Sequence, residues 1–146
     1  MGLRAFNCGA NLVGYKKNGK DYAMIAAWAM MVDYSKVALL LGGQADTSRN
    51  LEVGDEIGIS ALAKGQEEIG KKVGSTHSSE VNKLDLFPYF YKGDAILCKD
   101  ARNNMVGKVT SISESEDHDK LVFMEITSFS QDENKEFAYG YDPKLY

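Results

Sequence analysis

Asn18-Gly19 is the dipeptide that most restricts what this chain can fold into. It lies inside "NLVGYKKNGKDYAMIAAWAMMV", between two segments able to extend, and it is the strongest short-range signal for a β-hairpin. Two antiparallel strands are predicted to meet there. The same alternation of extendable segments and turns continues along the chain. "DYSK" reads as a turn, "VALLL" as a short apolar strand and "EIGISAL" as another, with Thr47 to Gly54 the only helix-like piece between them. "AKGQEEIGKKV", from Ala63 to Val73, places Ile69 and Val73 one turn apart among charges and predicts a short amphipathic surface helix. "STHSSEVNKLDLFPYFYKGD" follows neither period, and Pro88 and Gly93 argue for a long loop. "AILCKDA", "VGKVTSISES" and "KLVFMEITSFS" read as three strands, separated by an Asn-Asn turn in "RNNM" and an acidic turn in "EDHD". "KEFAYGYDPKLY" supplies a terminal strand. Seven or so strands with two short helices predict a mainly β fold, a barrel or sandwich with Greek-key connections.

At 146 residues, with 44% apolar and 26% charged residues, one domain over 1–146 is expected. A formal charge of -4 removes the non-specific attraction to phosphate backbones on which nucleic-acid binders rely, so no nucleic-acid partner is expected. Cys8 and Cys98 are too few for a disulfide scaffold, and "MGLRAFNCGANLV" has no signal-peptide pattern, which together point to a reducing cytoplasm. The longest apolar segment, Ala26 to Val32, is far short of the roughly 20 residues that a transmembrane helix needs. Phe6 stands where a myristoylation signal requires Ser or Thr, so no membrane anchoring is expected.

Most catalytic patterns are missing. "GQEEIGKK" approaches the phosphate-cradling G-x-x-x-x-G-K-[ST] loop, but Lys72 occupies the position of the Mg²⁺-binding hydroxyl, and Glu67 and Glu68 would face a polyphosphate; a solvated helix face is the better reading. His77, His118, Cys8 and Cys98 lack the paired spacing of a zinc site, so no metal is expected. There is no G-x-S-x-G elbow, and no catalytic dyad is assigned.

One stretch carries more polarity than a turn requires. After "VALLL" come Gly42, Gly43, Gln44, Asp46, Thr47, Ser48, Arg49 and Asn50. A strand entering a glycine turn and then hydroxyl and amide residues at a helix start suits a phosphate: Thr47, Ser48 and Asn50 can donate, Arg49 adds charge, and Gly42 and Gly43 let a ligand approach the backbone. Helix capping by Asp46 or Thr47 explains the same residues without any ligand.

"AMIAAWAMMVDYSKVALLL" followed by "TSRNLEVG" resembles the flavin reductase-like family of FMN-binding split barrels. Met24, Ala26 and Trp28 match a strand of the form M-T-A-S-W, and Thr47, Asn50, Leu51 and Gly54 match T-x-x-N-[IL]-x-x-G. "GSTHSSEVNK" is similar to the family's Ser-rich flavin loop ending in D-K, with Lys83 matching and Asn82 replacing the acid. Ile25 and Ala27 replace hydroxyl residues of the usual strand, and Ser60 stands where Asn is common. The resemblance implies a homodimer of split barrels binding FMN near the subunit interface. The phosphate would lie at Thr47 to Asn50, Ala26, Ala27 and Trp28 would border the ring, and the Ser75 to Lys83 loop would close over it, with Ser78, Ser79 and Lys83 as donors. Trp28 also reads as ordinary core packing. The implied activity is hydride transfer from NADH or NADPH, bound transiently, to the flavin. An electron carrier reduced by a protein partner, with a protein acceptor, is the alternative, as is a barrel binding another planar ligand such as haem or a deazaflavin.

Overall fold

Nine strands, two helices and one 3-10 turn are built from residues 3, 5, 6, 8–77 and 80–138, which are those the computed structural model describes. The hairpin of β1 (Asn11–Lys17) and β2 (Lys20–Ala26) turns at Asn18 and Gly19 with φ of 53° and 77°. Both values lie in the left-handed region that a tight hairpin turn of this hand requires. β3 (Ala29–Met31) and β4 (Lys36–Leu41) form a second hairpin round "DYSK". Then come α1 (Asp46–Arg49), β5 (Glu56–Ala61), α2 (Glu67–Gly74), the 3-10 turn Lys83–Leu86, β6 (Tyr89–Lys92), β7 (Ala95–Cys98), β8 (Asn103–Glu114) and β9 (Lys120–Gln131).

All pairings are antiparallel, in the order β3-β4-β9-β8-β5-β1-β7-β6. β2 pairs along the whole of β1, so β5 at residues 11–14 and β7 at Tyr15 divide its other edge. β7 passes close over the β1–β5 pair. A Cβ on Gly14 or Gly58, which face each other in register, would stand 2.9 or 2.5 Å from the Ile96 carbonyl oxygen.

Strand alternation sorts side chains into two layers. Val13, Tyr15, Tyr22, Met24, Ala26, Leu39, Leu41, Ile57, Ile59, Val109, Val122 and Met124 fill one interior shared by six strands, which makes this single continuous sheet a barrel rather than a sandwich. Leu12 and Ala23 point the other way and pack with Leu62, Val73, Leu84, Phe87 and Ile96 under α2 and the 3-10 turn. α2 is amphipathic as its spacing predicts, with Gly70 and Val73 buried, although it begins at Glu67 rather than near Ala63.

The structure corrects four sequence expectations. The helix-like stretch from Thr47 to Gly54 is a single turn, because Gly54 at φ 96° and the Asp55 carboxylate on the Glu52 N–H organise its second half as a loop. The long loop is interrupted by β6, for Pro88 precedes an edge strand and Gly93, at φ 61°, turns the β6–β7 hairpin. Asn103 and Asn104 belong to β8, and the turn lies earlier, at Asp100 with φ 63°. Of the terminal segment, Phe137 makes one bridge with Ala63, and 139–146 lie outside the described residues. No helix among the described residues is long and apolar enough to cross a membrane.

Candidate functional site

The polar stretch after β4 folds into a tight turn and then α1. The Ala45 N–H donates to the Gly42 carbonyl at 3.2 Å, and Ala45 is the helix N-cap with no side-chain cap. Capping by Asp46 or Thr47 is therefore not what these residues do. Arg49 pairs with the Asp46 carboxylate, and Asn50 Nδ2 donates to the Asp46 carbonyl at 2.8 Å. Thr47 and Ser48 are buried, at 1% and 0% exposure, and neither hydroxyl has a hydrogen-bond partner among the described residues. Leaving a buried hydroxyl unpaired costs about 1–3 kcal/mol, so two side by side mark a place where another group completes the bonding.

Side chains distant in sequence hold this turn. The Tyr15 hydroxyl donates to the Thr47 carbonyl at 2.5 Å, and Lys120 Nζ donates to the Ser48 carbonyl at 2.7 Å and the Leu51 carbonyl at 3.4 Å. Lys17 Nζ reaches the Asn50 carbonyl at 2.9 Å and the Asp55 carboxylate at 2.8 Å. Burial, with the Tyr22, Asp55 and Glu52 groups adding to it, raises the Tyr15 phenol far above its ordinary value, so it remains a donor. Tyr15 and Lys120 carry no sequence signal for this role, since each lies more than thirty residues from its partner.

The two glycines differ. Gly42 has open space where a Cβ would stand, as a close ligand approach requires, whereas a Cβ on Gly43 would meet the His118 carbonyl oxygen at 2.5 Å. The Gly43 N–H also donates to Asp119 Oδ1 at 2.9 Å. Packing against the β8–β9 turn thus accounts for Gly43 without a ligand. Gln44 is exposed.

Lys83 lies at the other side of the site, 7% exposed, with Nζ donating to the Val73 carbonyl at 3.0 Å. Burial pulls its ammonium down to about 8, and the Asp46 charge opposes that shift. The structure therefore brings Lys83 within electrostatic reach of α1. Asn82 Oδ1 accepts from the Leu84 N–H at 3.2 Å and caps the 3-10 turn, a structural use for the residue that replaces the expected acid. Ser78 and Ser79 lie outside the described residues.

Ala26, Ala27 and Trp28 separate. Ala26 faces the barrel core, with its carbonyl held by Asn11 Nδ2 at 3.0 Å, so its methyl cannot border a ligand outside the barrel. β2 ends there; Ala27 is half-buried in the link to β3, and Trp28 is 59% exposed, which rules out the core-packing reading. Met30 and Met31, each 64% exposed, Val32 and Tyr34 continue an apolar ribbon along the edge strand β3. In "LFPYFY", Phe87 is buried in the second layer, while Tyr89 and Tyr91 are exposed.

A hollow of about 670 Å³ lined by Arg102, Asn104, Phe129, Asp132 and Lys135 lies at the opposite end of the β8–β9 ribbon from Lys120, and it gathers none of the predicted site residues.

Fold and site define a small antiparallel β-barrel protein with two orphaned hydroxyls on the turn between β4 and β5. The chain belongs to the flavin reductase-like domain family, whose model matches residues 3–146. No curated protein sequence matches it. Among solved structures it is similar to an FMN-binding protein from Thermus thermophilus, with a TM-score of 0.84 and 16% identity over 99% of this chain and 88% of that one. It is also similar to the NADH:FAD oxidoreductase SgcE6 of Streptomyces globisporus, at 0.82 and 16% over 94% and 88%. Flavoredoxin from Methanosarcina acetivorans gives 0.80 and 15% over 96% and 88%. At these identities the likeness concerns the fold.

Proposed function

We propose that this protein binds FMN and acts as an NAD(P)H:flavin oxidoreductase, with the flavin phosphate at the turn from Gly42 to Asn50. The observation that carries the reading is the pair of buried, unpartnered hydroxyls of Thr47 and Ser48, which are donors awaiting an acceptor. Membership of the flavin reductase-like family and the fold likeness to proteins described as FMN-binding and as an NADH:FAD oxidoreductase support it. Bound FMN would supply hydride acceptance from a nicotinamide. The chain's own part is to bind and orient. Thr47 and Ser48 donate to the phosphate, Gly42 leaves room for it, Ser78, Ser79 and Lys83 are the further donors to the flavin, and the small Ala27 leaves space beside the ring. Because Asn50 and Arg49 are engaged with Asp46, they shape the turn more than they contact the ligand. The unit is a homodimer in cytoplasm, joined through the apolar ribbon from Trp28 to Tyr34.

Titration with FMN and riboflavin tests the site: FMN binds the more tightly, and equal affinities remove the phosphate turn from the proposal. Anaerobic mixing of the FMN-loaded protein with NADH and, separately, NADPH tests the activity. Flavin bleaching faster than with free FMN is expected. Bleaching by dithionite but by neither nucleotide would replace the enzyme with an electron carrier served by protein partners.

A further inference from the structure

A helix of one turn has almost no stability of its own, since helix nucleation is unfavourable and four residues gain little from propagation. The conformation of α1 is therefore set from outside. Three of the carbonyls in and just after it are held by two side chains. Tyr15, from β1 inside the barrel, takes the Thr47 carbonyl, and Lys120, from the first position of β9, takes those of Ser48 and Leu51. The Thr47 and Ser48 hydroxyls remain without partners although buried beside this scaffold. The charges around the turn are also uneven. Asp46 and Asp119 are its carboxylates, the first paired with Arg49 and the second bound to the Gly43 N–H. Lys120 makes no ion pair among the described residues. Its ammonium is half-buried against backbone carbonyls of the turn.

We propose that Lys120 and Tyr15 are the positioning residues that make this site prefer a phosphorylated flavin to the same flavin without its phosphate. By holding the turn through its carbonyls they fix the backbone that carries the two hydroxyls, and Lys120 adds a positive charge that favours a phosphate dianion. Neither residue touches the ligand in this scheme. The inference rests on the proposed FMN site.

The test compares dissociation constants for FMN and for riboflavin by flavin fluorescence in the wild type and in Lys120→Met, Lys120→Arg and Tyr15→Phe, with far-UV circular dichroism confirming that each variant is folded. Lys120→Met is expected to weaken FMN about tenfold, the scale of one charge-assisted hydrogen bond, and to leave riboflavin within about twofold. It also flattens the salt dependence of FMN binding, because a charge near the phosphate is gone. Lys120→Arg retains most of the preference, and Tyr15→Phe loses about fivefold for FMN alone. Inorganic phosphate competes with FMN in the wild type and about tenfold less well in Lys120→Met. Parallel losses for FMN and riboflavin would reduce both residues to general supports of the barrel and overturn the inference. So would an unchanged FMN preference in a folded Lys120→Met. A wild type that fails to distinguish FMN from riboflavin overturns the phosphate site itself, an outcome separate from a wild type that distinguishes them and variants that do so equally well.

Discussion

Ser60 donates its hydroxyl proton to Oδ1 of Asn104 at 2.6 Å, and its Oγ in turn accepts the Cys98 N–H at 2.8 Å. Asn104 Nδ2 completes the circuit by donating to the Cys98 carbonyl at 3.0 Å. The three residues lie on β5, β8 and β7, so this closed circuit ties β7 to the β5–β8 pair, with neither of which it shares ladder bonds. Ser60 is fully buried, and its difference from the Asn common in the family is thereby given a structural use. Ser60→Ala strands the Cys98 N–H and one Asn104 acceptor, and is expected to destabilise the fold by about 1–3 kcal/mol. Urea unfolding shows this as a lower midpoint at unchanged slope.

The two glycines at the candidate site give opposite outcomes. Gly43→Ala drives a Cβ into the His118 carbonyl oxygen and is expected to cost about 1–3 kcal/mol, whereas Gly42→Ala meets open space and stays within about 0.5 kcal/mol. Thermal melts of the two variants, read against the wild type, check the contrast. Equal melting temperatures would separate the β8–β9 turn from Gly43.

Much of this architecture is legible in the sequence, for reasons that differ by element. The Asn18-Gly19 hairpin is local: two residues that tolerate positive φ decide it. "VALLL" and the β9 segment declare themselves by unbroken or alternating apolar residues. Tyr89–Lys92 is hidden because Pro88 and Gly93 read as loop residues, although Pro at the threshold of an edge strand sacrifices no ladder bond. Asn103 and Asn104 read as a turn because their type favours one, yet Asn104's amide is spent across strands on Ser60 and Cys98. At the site, the excess of polar residues from Gly42 to Asn50 is visible, and so is Lys83. Tyr15 and Lys120 are not, since contacts across 32 and 72 residues leave no periodic trace.

Lys83 predicts a stability change with pH. Its buried ammonium titrates near 8, below the ordinary 10.5, so between these values the unfolded chain binds more protons than the folded one. Stability contributed by this group therefore rises with pH from about 8 towards 10.5, and the penalty of its burial is fully present below 8. Cys98, pushed up to about 11 by burial, acts in the opposite sense above its ordinary 9.0, as does Tyr15 above 10.0. The difference between wild type and Lys83→Met isolates the lysine. Urea midpoints at pH 7 and pH 9 are expected to converge, with the Met variant gaining less from the rise. An identical pH response in both proteins would place the ammonium in water.

The ribbon from Trp28 to Tyr34 predicts self-association. β3 is an edge strand with both faces exposed, and Tyr34 is 99% exposed, a concentration of apolar surface that a solitary barrel gains nothing by displaying. Sedimentation equilibrium is expected to give a dimer, and Met31→Lys a monomer with the same circular dichroism. A monomeric wild type at tens of micromolar would assign the ribbon to a different covering partner.

β1 makes assembly of the barrel wait on the order in which the chain is synthesised. Its hairpin with β2 can form as soon as Lys20–Ala26 follows it, but its other edge pairs Asn11 with Ala61 and Tyr15 with Ala95. On a ribosome that edge would stand open while the intervening segments emerge, offering unpaired backbone groups beside an apolar face. The glycines at 14 and 58, which admit β7 so closely, have no side chain to shield that edge in the interval. The strand that organises the finished barrel is thus also one exposed, in that interval, to mispairing with a neighbouring nascent chain.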